Sequence, residues 1–555
     1  MVNWFLVFHL FQKVSMHVPK KYKKVVLVVL DGFGVATYSH GNAVALANPE
    51  ALNDMIAHYP SLTLLASGPV VGLPWGEMGN SEVGHLNMGA GRIVGQDLAR
   101  INTAISNRSF FSNEALLEAI AHAKKNKAKL HLLGMISSGG VHSSNYHLYA
   151  LLALAAEQDF HEVFIHMITD GRDTAPKVAL EELRKLNEQI QKIGVGKVAT
   201  IAGRFYAMDR GGHWEQTEAM YRAMVQGAGA AADSAEDAVL NNYNQNIYDE
   251  MIPPTVIVDR SSEQIKPVAT VTQGDSIIFF NFRSDRAVQL TQAFTQPNIM
   301  ILPNQHAPIN DICFVTMTEY FRDLPVKIAF PTVNLKNGLA EVIANHKLKQ
   351  FHIAETEKFA HVTSFFNCGR NDAFPGEKRI IVQSPVNDKN YVDRPEMSGI
   401  EITEKLVEEI TKSDYDFYLA NYANADMVGH TGNIQASVKA VQYLDRFLQQ
   451  VMRAVLSVDG LLIITADHGN IEIMVNSKNG DIDKEHSTSP IPMIVIANDL
   501  TFPQARNRNY LSLSSIVPSG IVSDVAPTVL EFMGIEKPAE MTAISLVPEI
   551  IEELS

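Results

Sequence analysis

A serine stands between glycines in the run Met78-Gly79-Asn80-Ser81-Glu82-Val83-Gly84-His85, with no general base beside it in sequence. A serine hydroxyl becomes a useful nucleophile only when an adjacent base or a coordinated metal lowers its pKa. Ligand types for a metal occur elsewhere in the chain. The apolar run Leu461 to Thr465 leads into Asp467 and His468, and Asp31 closes a second apolar run. Asp426 and His430 are four apart, and Lys484-Glu485-His486-Ser487 supplies a further imidazole. A lone histidine is more often a structural hydrogen-bonding residue than a ligand, and His85, His131 and His361 are read that way. Asp31, Ser81, Asp426, His430, Asp467, His468 and His486 together make two sets of mixed oxygen and nitrogen donors. That points to two divalent metal ions and to an activated Ser81.

A second constellation is basic. It comprises Asp170-Gly171-Arg172-Asp173, the run Gly203-Arg204-Phe205-Tyr206-Ala207-Met208-Asp209-Arg210, and Asn281-Phe282-Arg283-Ser284-Asp285-Arg286. The guanidinium is a planar, permanently charged fork suited to carboxylate and phosphate. The plainer alternative is solvated ion pairing with Asp173, Asp209 and Asp285, and for any one arginine the two readings weigh about equally. Three such motifs, each after an apolar run, favour an anion pocket. His142 in Gly139-Gly140-Val141-His142 follows a similar run. Lys358 follows another, where a lysine supplies a point charge or a proton to a leaving oxygen.

The elements that must position these residues are legible from patterning. Lys24 to Leu30 is a β-branched apolar run broken at Asp31-Gly32-Phe33-Gly34, which predicts a buried strand delivering a carboxylate at its C-terminal end. Strands are likewise predicted at Lys129–Met135, Val163–Ile168, Val198–Ala202 and Ser276–Phe280, separated by helical patterns such as Val178–Ile193 and Glu215–Met224. Alternation of this kind predicts an α/β fold whose site residues converge at strand ends. The pattern divides into one open-sheet domain, residues 24–95 and 332–555, and a second α/β domain, residues 96–331, inserted into it.

At 555 residues the chain exceeds the size of a single growing core; its 46% hydrophobic and 19% charged content is that of a globular protein. A net charge of −15 gives no general reason to bind nucleic acid or an anionic membrane, so an anionic substrate must meet locally clustered arginines. Cys313 and Cys368 alone make no disulfide framework, consistent with a cytoplasmic protein. Trp4 to Phe11 is apolar apart from His9 but too short to span a bilayer. Residues 1–23 are read as an N-terminal extension, with Met16 as the expected natural start.

Taken together, the Gly-Asn-Ser-Glu-Val-Gly-His run at 79–85, the Arg-Phe-Tyr-Ala-Met-Asp-Arg run at 204–210 and the Asp-Met-Val-Gly-His-Thr-Gly run at 426–432 resemble the cofactor-independent phosphoglycerate mutases. These are metal-dependent members of the alkaline phosphatase superfamily. The resemblance extends from about Lys24 to Thr542. It implies an alkaline-phosphatase-like open sheet domain and an inserted substrate-binding transferase domain. It implies that Asp31, Ser81, Asp467 and His468 hold one manganese ion, and that Asp426, His430 and His486 hold the other, with cobalt or zinc as alternatives.

The resemblance further implies that Ser81 becomes a phosphoserine. His142, Arg172, Asp173, Arg204, Arg210, Arg283, Arg286 and Lys358 would bind the substrate, with Ser81, Asp173 and Lys358 catalytic and Asp173 shuttling protons. The implied reaction interconverts 3-phosphoglycerate and 2-phosphoglycerate in glycolysis and gluconeogenesis, without bisphosphoglycerate, by a cytoplasmic monomer. Ser138, Ser144 and Asp483 depart from the family pattern near His142 and His486. The competing readings are a phosphohydrolase of the same superfamily, which needs no arginine-rich insertion, and a non-catalytic metal or metabolite sensor, which would have lost ligands.

Overall fold

Apolar runs rich in β-branched residues become the central strands of two separate sheets. The computed structural model describes residues 21–260, 265–296, 309–385, 391–412 and 414–554. The chain divides into two compact units, Met1–Gly95 with Asn334–Ser555, and Gln96–Val333. Met16 lies outside the described residues.

The first unit is built on an eight-stranded sheet. From one edge its strands are Glu377–Val382, Gln350–Glu355, Phe417–Tyr422, Val25–Leu30, Leu461–Thr465, Ile491–Ile496, Ser61–Leu65 and Gly520–Ile521. Val25–Leu30 runs parallel to both neighbours, pairing Val25 with Phe417 on one side and with Leu461 on the other. These three strands are buried along their whole length. They therefore read as unbroken hydrophobic runs rather than as alternating ones. Helices Gly399–Lys412 and Ile434–Ser457 contribute Leu406, Ile410, Leu444, Phe447 and Leu448 to the same core.

The sheet is not wholly parallel. Ile491–Ile496 is antiparallel to both neighbours. The fold also begins earlier than the sequence reading placed it: Tyr22, assigned there to the extension, is buried. Its ring meets Phe532 edge-on at 5.9 Å, its N–H donates to the Phe532 carbonyl and its hydroxyl donates to Asp499. An aromatic side chain with a satisfied hydroxyl anchors this segment to the core.

The second unit holds a nine-stranded sheet. Its central strands Ser276–Phe279, Leu130–Met135, Val163–Thr169 and Lys197–Gly203 are parallel neighbours. Thr255–Asp259 pairs antiparallel with the last of these. One cluster around Leu132, Ile165, Leu183 and Phe280 and another around Leu133, Ile168, Met220 and Phe279 form its cores. Leu132 and Leu133 point to opposite faces, as the two-residue period of a strand requires.

Candidate active site

Four adjacent strands of the first unit end in polar residues that converge. Asp31 follows Val25–Leu30 directly, Asp426 sits in the helix Asn424–Gly429 after Phe417–Tyr422, and Asp467 and His468 follow Leu461–Thr465. Lys358 closes a 3₁₀ turn, Thr356–Lys358, after Gln350–Glu355. The C-terminal edge of a parallel sheet is where such a site is expected. Gly32 has a φ of +73°, and a Cβ there would lie 2.7 Å from the Asp426 Cα, so only glycine lets these two loops approach.

Ser81 opens the helix Ser81–Ala90, capped by the Asn80 side chain, which accepts from the Val83 N–H at 2.9 Å. The hydroxyl of Ser81 lies at a helix N-terminus, where the dipole favours negative charge. Its Oγ donates to Asp31 Oδ1 at 2.9 Å and is 3.1 Å from His468 Nε2. The Lys358 ammonium donates to Ser81 Oγ at 2.7 Å and to Asp31 Oδ1 and Asp426 Oδ2, both at 2.6 Å. Asp31, Asp426, Asp467, His468, Ser81 and Lys358 are all buried.

The charges are strongly interdependent. Burial alone would raise the carboxyl pKa values of Asp31 and Asp426, but the Lys358 ammonium holds both well below the usual carboxylate range. Burial likewise opposes protonation of His468, yet Asp467 and the bond to Asp31 push its pKa up to about 9. The hydrogen bond with Asp426 raises the pKa of His430.

These residues fit divalent ions. Asp426 Oδ1, His430 Nε2 and His486 Nε2 lie 3.1–3.2 Å apart. That is close to the roughly 3.0–3.4 Å edge expected of ligands about 2.1 Å from one ion. Each imidazole is oriented from behind, His430 Nδ1 on the Lys484 carbonyl at 2.7 Å and His486 Nδ1 on the Gly79 carbonyl at 2.8 Å. Asp467 Oδ2 is buried and makes no hydrogen bond among the described residues; the imidazoles of His85 and His468 lie 3.3 and 3.6 Å away, so the oxygen already faces imidazole partners where an ion would sit. The donor atoms also group as Asp426, His468 and His486, and as Asp31, His85 and Asp467. His468 thus faces both sets, its ring stacked 3.9 Å from that of His486.

His85 was read from sequence as structural, but it lies in the donor group of Asp31 and Asp467, its Nδ1 3.3 Å from Asp467 Oδ2. Nδ1 meets the Ser81 carbonyl at 2.9 Å, and Nε2 meets the Asn421 amide at 3.0 Å. The same Asn421 amide donates to Asp31 Oδ2 at 2.8 Å. Asn470 donates to Asp426 Oδ1 at 3.0 Å. Sequence reasoning did not single out either asparagine. The available signal was an amide near the end of the apolar strand Phe417–Tyr422 and another a few residues beyond Leu461–Thr465, in Asp467-His468-Gly469-Asn470.

The second unit repeats the device with basic residues. Arg172 and Asp173 follow Val163–Thr169, Arg204 opens a short helix after Lys197–Gly203, and Arg283 and Arg286 follow Ser276–Phe279. Buried Arg204 donates to Asp170 Oδ1 at 2.6 Å and Asp173 Oδ2 at 2.5 Å, and its other terminal nitrogen contacts His142 Nε2 at 2.9 Å. Burial and the Arg204 charge push the His142 pKa down to about 4, leaving a neutral imidazole. Arg172, Arg204, Glu250 and Arg286 line a 250 Å³ cavity with Phe205, Met208, Asp209, His213 and Gln216. Arg210 and Arg283 are exposed and pair with Asp285 at 2.8 and 3.1 Å, the arrangement of the solvated alternative.

Lys358 contacts the donor cluster of the first unit. Ser144 caps the helix Asn145–Glu157, Asp483 accepts from the Glu485 N–H at 3.0 Å, and Ser138 is exposed.

Three comparisons bear on this arrangement. A family profile described as the BPG-independent PGAM N-terminus matches residues 101–322. The chain is 45% identical to a 2,3-bisphosphoglycerate-independent phosphoglycerate mutase of Chloroflexus aggregans, covering 95% of this chain and 98% of that one. It is 46% identical to the protein of the same name from Thermomicrobium roseum, covering 94% and 98%. Among solved structures, the fold matches that of Leishmania mexicana phosphoglycerate mutase at low cobalt concentration. That match has a TM-score of 0.62 and 29% identity over 96% of this chain and 98% of that one.

Proposed function

The chain belongs to the 2,3-bisphosphoglycerate-independent phosphoglycerate mutases, metal-dependent enzymes that interconvert 3-phosphoglycerate and 2-phosphoglycerate in glycolysis, and we propose that Ser81 carries the phosphoryl group between the two positions. The observation that carries this reading is the environment of the Ser81 hydroxyl. It is buried at a helix N-terminus and within 3.1 Å of Lys358 Nζ, Asp31 Oδ1 and His468 Nε2.

Asp31, Ser81, Asp467 and His468 would hold one divalent ion, and Asp426, His430 and His486 the other. Manganese is the proposed metal, and the cobalt named for the Leishmania protein is compatible with the same donors. When bound, such ions lower the serine pKa and offset charge on the phosphoryl oxygens.

In the first half-reaction Ser81 Oγ loses its proton and attacks phosphorus, the bond from phosphorus to one glycerate oxygen breaks, and that oxygen takes up a proton. In the second, the other glycerate hydroxyl loses its proton and attacks the phosphoserine, the bond from phosphorus to Ser81 Oγ breaks, and Oγ takes a proton back. Lys358 Nζ stabilises the phosphoryl oxygens by charge. Arg172, Arg204 and Arg286, which line one cavity, are proposed to hold the carboxylate and phosphate, joined by Arg210 and Arg283 if these exchange Asp285 for the anion, and His142 and Asp173 the glycerate hydroxyls, with Asp173 exchanging the protons. Retention of glycerate is essential, because water attacking the phosphoserine would turn isomerisation into hydrolysis.

The family resemblance supports a monomer. The two free cysteines, Cys313 and Cys368, accord with a reducing cytoplasm. No helix among the described residues is long and apolar enough to cross a membrane. The test is acid quenching of manganese-loaded enzyme during turnover, followed by peptide mass spectrometry. Phosphate on Ser81, absent from Ser81→Ala, is the expected result; unmodified Ser81 throughout turnover would remove the covalent route.

A further inference from the structure

Glu472 is fully buried, is outside the expected ligand set, and pairs with no described lysine, arginine or histidine. Burying a carboxylate is costly unless donors surround it. Here Oε2 accepts the N–H of Gly34 at 3.0 Å and that of Asn470 at 2.9 Å, while Oε1 accepts the Ser487 hydroxyl. The backbone is shaped to let the carboxylate in, since a Cβ at either Gly34 or Gly469 would collide with it.

Its donors come from separate chain segments, and each segment carries a ligand candidate. Gly34 belongs to the loop of Asp31, Asn470 follows Asp467 and His468, and Ser487 follows His486. Asn470 extends the connection to Asp426 Oδ1. Both carboxylate oxygens of Glu472 are occupied by donors, so it is placed to fix ligand-bearing segments rather than to bind an ion.

We propose that Glu472 is a positioning residue for both metal sites, setting the spacing of the segments that carry Asp31, Asp467, His468 and His486. This rests on the metal assignment above. A single carboxylate bonded to all three loops removes freedom that the ligands would otherwise lose on binding, and supporting residues of this kind typically contribute 10–100-fold to metal affinity.

The test is calorimetric titration of the chelator-stripped full chain with manganese(II) chloride, alongside the metal-free thermal midpoint. In Glu472→Ala both binding events are expected to weaken by about 10-fold or more. Glu472→Gln, whose amide can accept from the two N–H groups and donate to Ser487 Oγ, is expected to restore most of that affinity. Ser487→Ala removes the side-chain connection from Glu472 to the His486 segment, together with the bond from the Ser489 N–H, and keeps the backbone bridge from Ser487 to Gly469; it is expected to weaken one of the two events and to leave the metal-free midpoint within about 3 °C of wild type.

Wild-type affinity in folded Glu472→Ala or Ser487→Ala overturns the proposal. So does a lowered midpoint of Glu472→Ala without any change in affinity. If Glu472→Ala does not fold, Ser487→Ala decides. Failure of the wild-type chain itself to bind manganese would contradict the metal assignment instead.

Discussion

At the scale of the residue, the ammonium of Lys358 and the fork of Arg204 invite separate experiments. Lys358 offsets two buried carboxylates, those of Asp31 and Asp426. Removing one partner of a buried ion pair typically costs about 3–5 kcal/mol because the other charge is stranded. Lys358→Met is therefore expected to lower metal-free stability by about that order, and added manganese to restore part of it, as read by urea unfolding with and without the ion. An equal loss in both conditions would mean that the carboxylates do not depend on a nearby cation. Arg204→Lys keeps the charge but loses the planar fork that spans Asp170, Asp173 and His142. Its expected effect is a KM for 3-phosphoglycerate raised about tenfold and more free phosphate per turnover, measured in one assay. An unchanged phosphate-to-product ratio would argue against a role in retaining glycerate. The candidate residues stood out in sequence because Asp31, Asp467 and the arginines follow apolar runs and Ser81 lies between glycines. Asn421 and Glu472 did not, because their significance lies in which loops they join, and that exists only after the chain has folded.

At the scale of the element, buried strands and helices of the second unit, and the loop that carries His142, hold neutral histidines. Burial pushes His147 down to about 3, His142 down to about 4 with Arg204 contributing, and lowers His131 and His166 as well. Each has a folded pKa below its unfolded value near 6.5. The unfolded chain thus takes up protons that the folded unit refuses. The stabilisation is fully present above about pH 6.5 and is lost as pH falls toward the folded values. The urea midpoint of the second unit should therefore drop between pH 7.5 and pH 5, and His147→Gln should flatten that dependence; a midpoint independent of pH would refute the account of these histidines. The strands around them were readable as continuous apolar runs, and Val163 to Ile168 was expected as a strand despite His166 within it. What the runs did not reveal was direction. Ile491–Ile496 is as apolar as the parallel strands of the same sheet, yet it runs antiparallel to both its neighbours.

At the scale of the whole molecule, the first unit has its own large core and the second has its own clusters. Cores separated in this way permit separate unfolding. The donors proposed for the metals all belong to the first unit, so manganese should raise only its calorimetric transition, by about 2.7 kcal/mol for each of the two sites when the ion is at 100 times that site's Kd. An equal shift of both transitions, or of neither, would contradict that assignment. A second α/β domain over residues 96–331 was expected from the strand and helix alternation of that region; the motifs that end its strands are rich in arginine, and those of the first unit are acidic and imidazole-rich. The net charge of −15 shows why the arginine-rich motifs matter: an anionic substrate gains nothing from the protein's overall field and depends on local guanidinium groups. The most direct measurement is conversion of 3-phosphoglycerate by the manganese-loaded enzyme without bisphosphoglycerate, with 2-phosphoglycerate and free phosphate followed in the same tube. The account predicts 2-phosphoglycerate with negligible phosphate release and no activity in Ser81→Ala; phosphate release as the main outcome, or full turnover by Ser81→Ala, would contradict it.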